Sequence, residues 1–263
     1  TYFRRLLEAH GELVDDVNAA AEMLLGKARG LFVYAAMAAE HVDRLVHRGG
    51  QLSLASIRAM PEGLDEFYDQ QMERLLGDEG TDALEWRAVR LLTGAREPLH
   101  VETLRTFLGC SDKERRRTVA RLSRFYPIRD RKLHAYHKSV RDWLTREERR
   151  DVTSGLFVDV SAAEVDVAAR CLEALEGVRD RKAAAAGTSA TTAQPAETYA
   201  LRHGVRHLLA AGRGDDASRV VLDLEWLLAR CRAEDALGIR EDCRAVVQWW
   251  NRRNVPSSSS SSS

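Results

Sequence analysis

Cysteine and aromatic residues are scarce in this chain of 263 residues, and this scarcity narrows the classes of protein to consider. The four cysteines form no C-x-x-C pair and lie at Cys110, Cys171, Cys231 and Cys243. Reduced thiols in a cytoplasmic protein are the simplest interpretation. A zinc site that joins His203 and His207 to Cys231 and Cys243 would need an unusual ligand order, so we predict no metal site. Aromatic residues make up 6% of the chain, which favours a mainly helical protein.

Long hydrophobic segments are also missing. The longest apolar run, at 31–39, has about half the length that crosses a bilayer, and it ends at Glu40. We therefore predict no membrane contact. No basic and then apolar leader opens the chain, so a cytoplasmic location is expected. Because the chain begins with Thr1 and closes with a serine run, we expect a fragment of a longer protein with a disordered tail at 254–263.

The motifs of an autonomous enzyme are absent from the sequence. No G-x-x-x-x-G-K-[ST] loop occurs, and the Gly26-Lys27 pair is followed by Ala28 instead of a hydroxyl residue. The adjacent carboxylates Asp15 and Asp16 project from different sides of a helix and so do not form a general acid–base pair. We predict that the chain is not an enzyme and that it binds no cofactor by itself.

Charge is unevenly distributed along the chain, although the formal net charge is zero. Residues 1–80 carry a net charge of −6, residues 81–150 carry +8 and residues 151–263 carry −2. The basic middle segment therefore either packs against its acidic neighbours or contacts a polyanion.

Apolar residues repeat at helical spacing on both sides of this basic segment. In residues 1–79 the repeats predict two closely packed helices, a short helix at 53–59 and an amphipathic helix at 64–75. Together these form one helical subdomain. Residues 151–253 carry further helical stripes and are predicted to form a second helical domain. Within it, the segment 181–198 has few large apolar side chains, which predicts a solvated, low-complexity insertion.

The basic segment at 80–150 has a different order of elements. The predicted helices lie at 83–92, from Pro98 onward and at about 112–125, and the predicted strands lie at 127–129 and 133–136. A three-residue polar loop at 130–132 joins the strands into a hairpin. Three helices followed by a hairpin are the winged-helix arrangement. We therefore predict a mainly α fold with a winged-helix domain between two helical domains.

The third of these helices carries a row of basic residues at helical spacing, namely Lys113, Arg117, Arg121 and Arg124. A basic helix beside a wing suits binding to a nucleic-acid groove, which makes a winged-helix nucleic-acid binder one alternative function. The same row also suits docking on an acidic domain. No Asn or Gln accompanies the row to read bases, so the sequence does not favour nucleic acid as the partner.

A second alternative is a helical protein-interaction scaffold that involves no nucleotide. Three tryptophans in the last helical segment, Trp226, Trp249 and Trp250, are candidate anchors for a partner. Packing in a hydrophobic core is the commoner role of such residues.

The residues 137–144, HKSVRDWL, carry the main functional signal. His137 follows the predicted hairpin and stands where a helix begins, so its imidazole lies beside helix-start N–H groups. Such a position favours an anion, and phosphate is the natural candidate. Ser139 lies at the same helix start, where it can cap the helix instead.

Several segments carry a family resemblance in a fixed order. They are GLFVYA at 30–35, PEGLDEFYDQQMERL at 61–75, LHAYHKSVRDWL at 133–144, SGLFVDVSAAEVDVAARCLEAL at 154–175, TYALRHGVRHLLAAG at 198–212 and DLEWLLARCR at 223–232. Together they resemble the region that follows the nucleotide-binding core in NACHT-type STAND ATPases. These signalling proteins are related to the apoptotic protease-activating factor and to NOD-like receptors.

The resemblance implies a regulatory role in a signalling ATPase. In that family, the histidine after the wing contacts the terminal phosphate of bound ADP and holds the inactive state, and His137 is the matching position. The implied cofactor is ADP or ATP, bound only by the intact parent protein. The implied partners are an upstream nucleotide-binding core and a downstream repeat domain of the same protein, with homo-oligomers as the active assembly.

Overall fold

The computed structural model describes residues 2–9, 16–47, 52–77, 80, 83–150, 155–184, 194–233 and 235–254. This part of the chain is mainly helical and contains one small antiparallel sheet of three strands, so the expected mainly α class is confirmed. The chain divides into two compact units, Thr1–Gly80 and Thr81–Ser263.

The described residues of the first unit are mainly helical. Its helices are α1 (Tyr2–Glu8), α2 (Val17–Ala28), α3 (Phe32–His47), α4 (Leu54–Arg58) and α5 (Gly63–Leu76). The carboxylate of Asp16 caps α2 by accepting from two backbone N–H groups, which explains why this helix starts at Val17. Small buried residues such as Ala20 and Ala38 let α2 and α3 pack closely.

Two polar side chains of the first unit hold the loop that follows α4. The ammonium group of Lys27 donates to the carbonyl oxygens of Arg58 and Met60, the former at 3.0 Å. The hydroxyl of Tyr34 donates to the carbonyl oxygen of Pro61. Lys27 is therefore a buried hydrogen-bond donor that stabilises the fold. These contacts give the lysine of the Gly26-Lys27 pair a structural role that involves no nucleotide.

The second unit begins with helices interleaved with short strands. In chain order these are α6 (Leu84–Gly94), β1 (Leu99–His100), α7 (Val101–Leu108), α8 (Asp112–Leu122), β2 (Ile128–Arg129), β3 (Lys132–Leu133) and α9 (Lys138–Leu144). The strands are antiparallel in the order β1-β3-β2, with Leu133 opposite both Leu99 and Ile128. Phe107, Phe125 and Trp143 are almost completely buried and form much of the core.

Two predictions about this region are corrected. The hairpin loop has two residues instead of three, since Lys132 belongs to β3 and pairs with Arg129. Asp130 and Arg131 both have positive φ, as the tight turn of a twisted hairpin requires. The second helix starts at Val101 and not at Pro98, because the intervening residues form β1 against the hairpin.

Among the described residues, the rest of the second unit contains a short 3-10 helix (Glu147–Arg149) and five α-helices. The α-helices are α10 (Val160–Ala184), α11 (Pro195–Ala210), α12 (Gly214–Val221), α13 (Leu224–Arg232) and α14 (Ala236–Asn254). α10 packs against α11 and also against α6. A Cβ atom on Gly94 would lie only 2.9 Å from the carbonyl group of Ala163, so the close approach of α6 and α10 requires glycine there.

The predicted insertion at 181–198 is helical at both of its ends. α10 continues to Ala184, and α11 begins at Pro195, a residue suited to the first turn of a helix. Residues 185–193 lie outside the described residues. So do residues 255–263 of the predicted disordered tail, whereas Asn254 ends α14.

Candidate functional site

Backbone hydrogen bonds fix the position of His137 after the hairpin. The N–H of His134 donates to the carbonyl oxygen of Pro127 at 3.1 Å, and the N–H of Tyr136 donates to that of Phe125 at 2.7 Å. These bonds continue the pairing of β2 and β3 beyond the strands themselves. On the other side of His137, the buried residue Trp143 anchors α9 in the core. The histidine is therefore held between two ordered elements.

The ring of His137 caps α9. Its Nδ1 atom accepts from the backbone N–H of Ser139 at 3.2 Å and lies 2.8 Å from the hydroxyl oxygen of the same serine. Because Nδ1 accepts the N–H bond, the proton of the neutral ring is on Nε2. The histidine side chain is exposed, so this donor is accessible from solvent.

This geometry changes one expectation about the helix start. The N–H group of Ser139, which we expected to be free for an anion, is already bonded to the ring. Ser139 does not cap the helix either, since its hydroxyl contacts the imidazole. The cationic residues of α9, the helix that His137 caps, are Lys138 and Arg141, and both are exposed. A phosphate would therefore meet a ring donor and two cations rather than a set of free backbone N–H groups.

The four residues of the predicted basic row have different surroundings. Lys113 and Arg117 are exposed on α8. Arg121 instead forms an ion pair with the buried carboxylate of Glu85 at 2.9 Å, and Arg124 is half-buried. Only the first half of the row is thus a free cationic surface, because Arg121 stabilises a buried charge.

The two histidines considered for zinc are used in other ways. His207 is fully buried, and its Nδ1 donates to Glu164 Oε2 at 2.7 Å while its Nε2 accepts from the Tyr199 hydroxyl at 2.9 Å. The Tyr199 oxygen in turn accepts from the backbone N–H of Arg96 at 3.0 Å. The ring of His203 lies tilted against that of Tyr199, with centroids 4.9 Å apart. The described part of the chain contains no group of three or more side chains placed to hold a metal ion.

Burial favours the neutral form of both rings. It lowers the pKa of His203 to about 4, although the nearby carboxylate of Glu97 acts in the opposite direction. Burial also lowers the pKa of His207, again against the effect of its carboxylate partner Glu164. The neutral ring of His207 therefore joins α11 to Glu164 of α10 and, through the Tyr199 hydroxyl, to the backbone of Arg96 before β1.

The candidate tryptophan anchors also differ from one another. Trp226 is buried, whereas Trp250 on α14 is 57% exposed. Trp249 is half-buried and lies under the guanidinium of Arg253. Among these three residues, Trp250 alone presents a large apolar surface.

Sequence reasoning missed a cleft rich in arginine within the second unit. Arg202 and Arg206 line it from α11 and Arg230 lines it from α13. The four-residue spacing of the first two places them on one side of a helix and is a signal that the sequence offered. Arg230 is distant in sequence, so only the fold brings it to the other two.

No protein-family model, curated protein or solved structure matches the chain. None of the described helices combines the length and apolar character that crossing a bilayer requires.

Proposed function

We propose that this chain is the regulatory portion of a NACHT-type STAND ATPase and that His137 clamps the terminal phosphate of ADP. The nucleotide would be held by a P-loop core elsewhere in the same protein. The observation that carries this proposal is the state of the His137 ring, whose Nδ1 is engaged by α9 while its Nε2 donor is exposed. A hydrogen bond from this donor to a charged phosphate oxygen is a strong one.

The order of elements from α6 to α9 supports a winged-helix domain. A helix, a strand, two helices and a hairpin follow one another, and the first strand pairs with the second strand of the hairpin. We propose that β2 and β3, with the turn at Asp130 and Arg131, form the wing. His137 then follows the wing by four residues, as the family resemblance requires.

The residues around His137 fit the phosphate part of a nucleotide. Lys138 and Arg141 are exposed residues of α9, the helix that His137 caps, and they add positive charge to this helix. An exposed site of this kind cannot hold a nucleotide without a second surface, because the phosphate would remain hydrated on its other sides. The sequence contains no P-loop, and His137 is exposed. Both facts support the proposal that another part of the protein holds the nucleotide while His137 contacts its phosphate.

The packing of the second unit suggests which body would move in such a switch. α6 and α10 approach so closely at Gly94 and Ala163 that the proposed winged helix and second helical domain form one compact unit. We propose that loss of the His137 contact, on exchange of ADP for ATP, frees this whole unit. Surfaces for homo-oligomerisation would then be exposed, and a downstream repeat domain would move with it.

The first test is the nucleotide content of the longer protein that contains this chain. We expect its coding sequence to include a P-loop upstream, and the purified protein to retain about one ADP per chain. His137→Asn keeps a good helix cap but removes the Nε2 donor, so the retained ADP should fall by about tenfold or more. The matched control is His100→Asn, which changes a histidine cap at the start of α7. Equal losses in the two variants would exclude the proposed role.

Experiments on the chain by itself test the proposal that it does not hold the nucleotide alone. Because no P-loop is present, a calorimetric titration with ADP should show no tight site. A nucleic-acid function would instead give a salt-dependent mobility shift of duplex DNA, weakened by substituting Lys113 and Arg117. Tight ADP binding by the chain, or such a shift, would contradict the proposal.

A further inference from the structure

A polar cleft of about 560 Å³ lies in the second unit, away from the residues that surround His137. α11, α13, α14 and the turn before β1 form its walls. Its basic side chains are Arg96, Arg202, His203, Arg206 and Arg230, and we call it the arginine cleft. Apart from the spacing of Arg202 and Arg206, no local sequence pattern predicts that these five side chains line one space.

One wall of the arginine cleft is a fixed network of ion pairs. Asp242, which is 1% exposed, accepts from Arg206 at 3.2 Å and from Arg230 at 3.1 Å. Arg230 is 2% exposed and also pairs with Asp235 at 2.8 Å. Its Nε atom is buried and has no hydrogen-bond partner among the described residues. Arg206 also pairs with Glu241, so this wall holds two guanidinium groups and three carboxylates.

The other basic residues of the lining, Arg96, Arg202 and His203, have donor atoms with few or no hydrogen-bond partners among the described residues. Arg202 forms no hydrogen bond within the described residues, and its nearest carboxylate oxygen, on Glu97, is 3.7 Å away. The guanidinium of Arg96 makes a single long bond of 3.3 Å to Glu164. The Nε2 atom of His203 is buried without a hydrogen-bond partner and lies 3.7 Å from the same Glu97 carboxylate.

The cost of this arrangement falls on two buried atoms without a hydrogen-bond partner among the described residues, Nε2 of His203 and Nε of Arg230. A buried polar atom without a partner loses its hydration and gains nothing in return. Arg96 and Arg202 line the same cleft but are exposed, so their unused donors are hydrated and accessible to a ligand. A tetrahedral oxyanion accepts several hydrogen bonds in different directions, and guanidinium groups match its oxygen atoms in pairs.

We propose that the arginine cleft binds a phosphate group, either as inorganic phosphate or as part of a small phosphate monoester. Arg96 and Arg202 bind its oxygens, and His203 donates from Nε2. The carboxylates of Asp235 and Glu241 line the far side of the cleft and repel a long polyanion such as nucleic acid. This site is independent of His137 and does not need the nucleotide-binding core.

Calorimetric titration of the full chain at pH 7 with inorganic phosphate and with glycerol 3-phosphate tests the proposal. We expect one saturable site for at least one of the two ligands. The tighter of the two identifies whether the free or the esterified form is preferred. Arg202→Gln should weaken binding by about tenfold or more, because a hydrogen bond between charged groups is lost. Arg244→Gln removes the same charge from an exposed position of α14 outside the cleft and should leave binding unchanged.

A second measurement separates binding from a change in fold. In NMR spectra, the ring resonances of His203 should shift on phosphate addition in the wild type and in Arg244→Gln, but much less in Arg202→Gln. Arg96→Gln provides a second variant, and melting followed by circular dichroism checks that each variant is folded. The proposal is overturned if the wild type shows no saturable binding, or if Arg202→Gln and Arg96→Gln both bind as tightly as the wild type.

Discussion

Two helices of the second unit, α7 and α9, are capped by a histidine. The two histidines differ in how far their rings are exposed to solvent. At the start of α7, Nδ1 of His100 accepts from the N–H of Glu102 at 3.1 Å. At the start of α9, Nδ1 of His137 accepts from the N–H of Ser139 at 3.2 Å. The first ring is half-buried beside the sheet, and burial followed by the charge of Arg131 lowers the pKa of its imidazole. The second ring is exposed.

This comparison separates capping from ligand binding. The cap uses only Nδ1, and Asn, Asp or Ser provide such a cap at least as well as histidine. Helix capping alone therefore does not explain why histidine, instead of Asn, Asp or Ser, occupies position 100 or position 137. At position 137 the second ring nitrogen is available to another surface, and this availability is the basis of the proposed clamp.

The largest expected effect concerns the side chains that anchor the two helices. Phe107 in α7 and Trp143 in α9 are 1% and 0% exposed. Replacing either by alanine should lower the free energy of unfolding by about 3–5 kcal/mol, because a large cavity forms. Urea unfolding followed by circular dichroism measures this change. If Trp143→Ala costs far less than Phe107→Ala, α9 is loosely attached and the position of His137 is not fixed.

A smaller effect is expected from the buried histidines of α11. The folded-state pKa of His203 is about 4, below that of an unfolded chain, so the unfolded state binds more protons between about pH 6.5 and pH 4. Stability should be complete above this range and fall by about 2–3 kcal/mol as the pH falls through it. The lowered pKa of His207 acts in the same direction.

Unfolding in urea at a series of pH values tests this dependence. His203→Gln should flatten the profile between pH 6.5 and pH 4 relative to the wild type. A variant profile as steep as that of the wild type would show that this ring is not neutral in the folded protein.

The smallest effect separates the two caps themselves. His100→Ala and His137→Ala should each lower the free energy of unfolding by about 1 kcal/mol, while the Asn variants should lie within a few tenths of the wild type. Thermal melting resolves differences of this size. If His100→Ala lowers the free energy of unfolding and His137→Ala does not, the cap formed by His137 is absent in solution.

Helical spacing and hairpin patterns located most elements of the fold. The stripe at 64–75 became α5, and the residues after Pro127 became a hairpin. Strand β1 was not predictable in this way, because two residues carry no periodicity and form a strand only when β3 lies beside them. The start of α7 shifted to Val101 for the same reason.

The candidate site was only partly predictable. His137 was found because it sits between a hairpin and a helix, which are both local features. The ring of His137 accepts a hydrogen bond from the N–H of Ser139. This bond depends on a side-chain rotamer that the sequence does not specify. The pairing of Arg121 with Glu85 and the assembly of the arginine cleft depend on contacts between residues far apart in the chain.

The most direct test of the proposed clamp is the rate at which a fluorescent ADP analogue leaves the separately purified nucleotide-binding core of the parent protein. Adding the wild-type chain in trans should slow dissociation by about tenfold or more, and His100→Asn should do the same. His137→Asn should leave the rate close to that of the core alone. If His137→Asn slows ADP release as strongly as the wild type does, the imidazole does not hold the phosphate and the account is wrong.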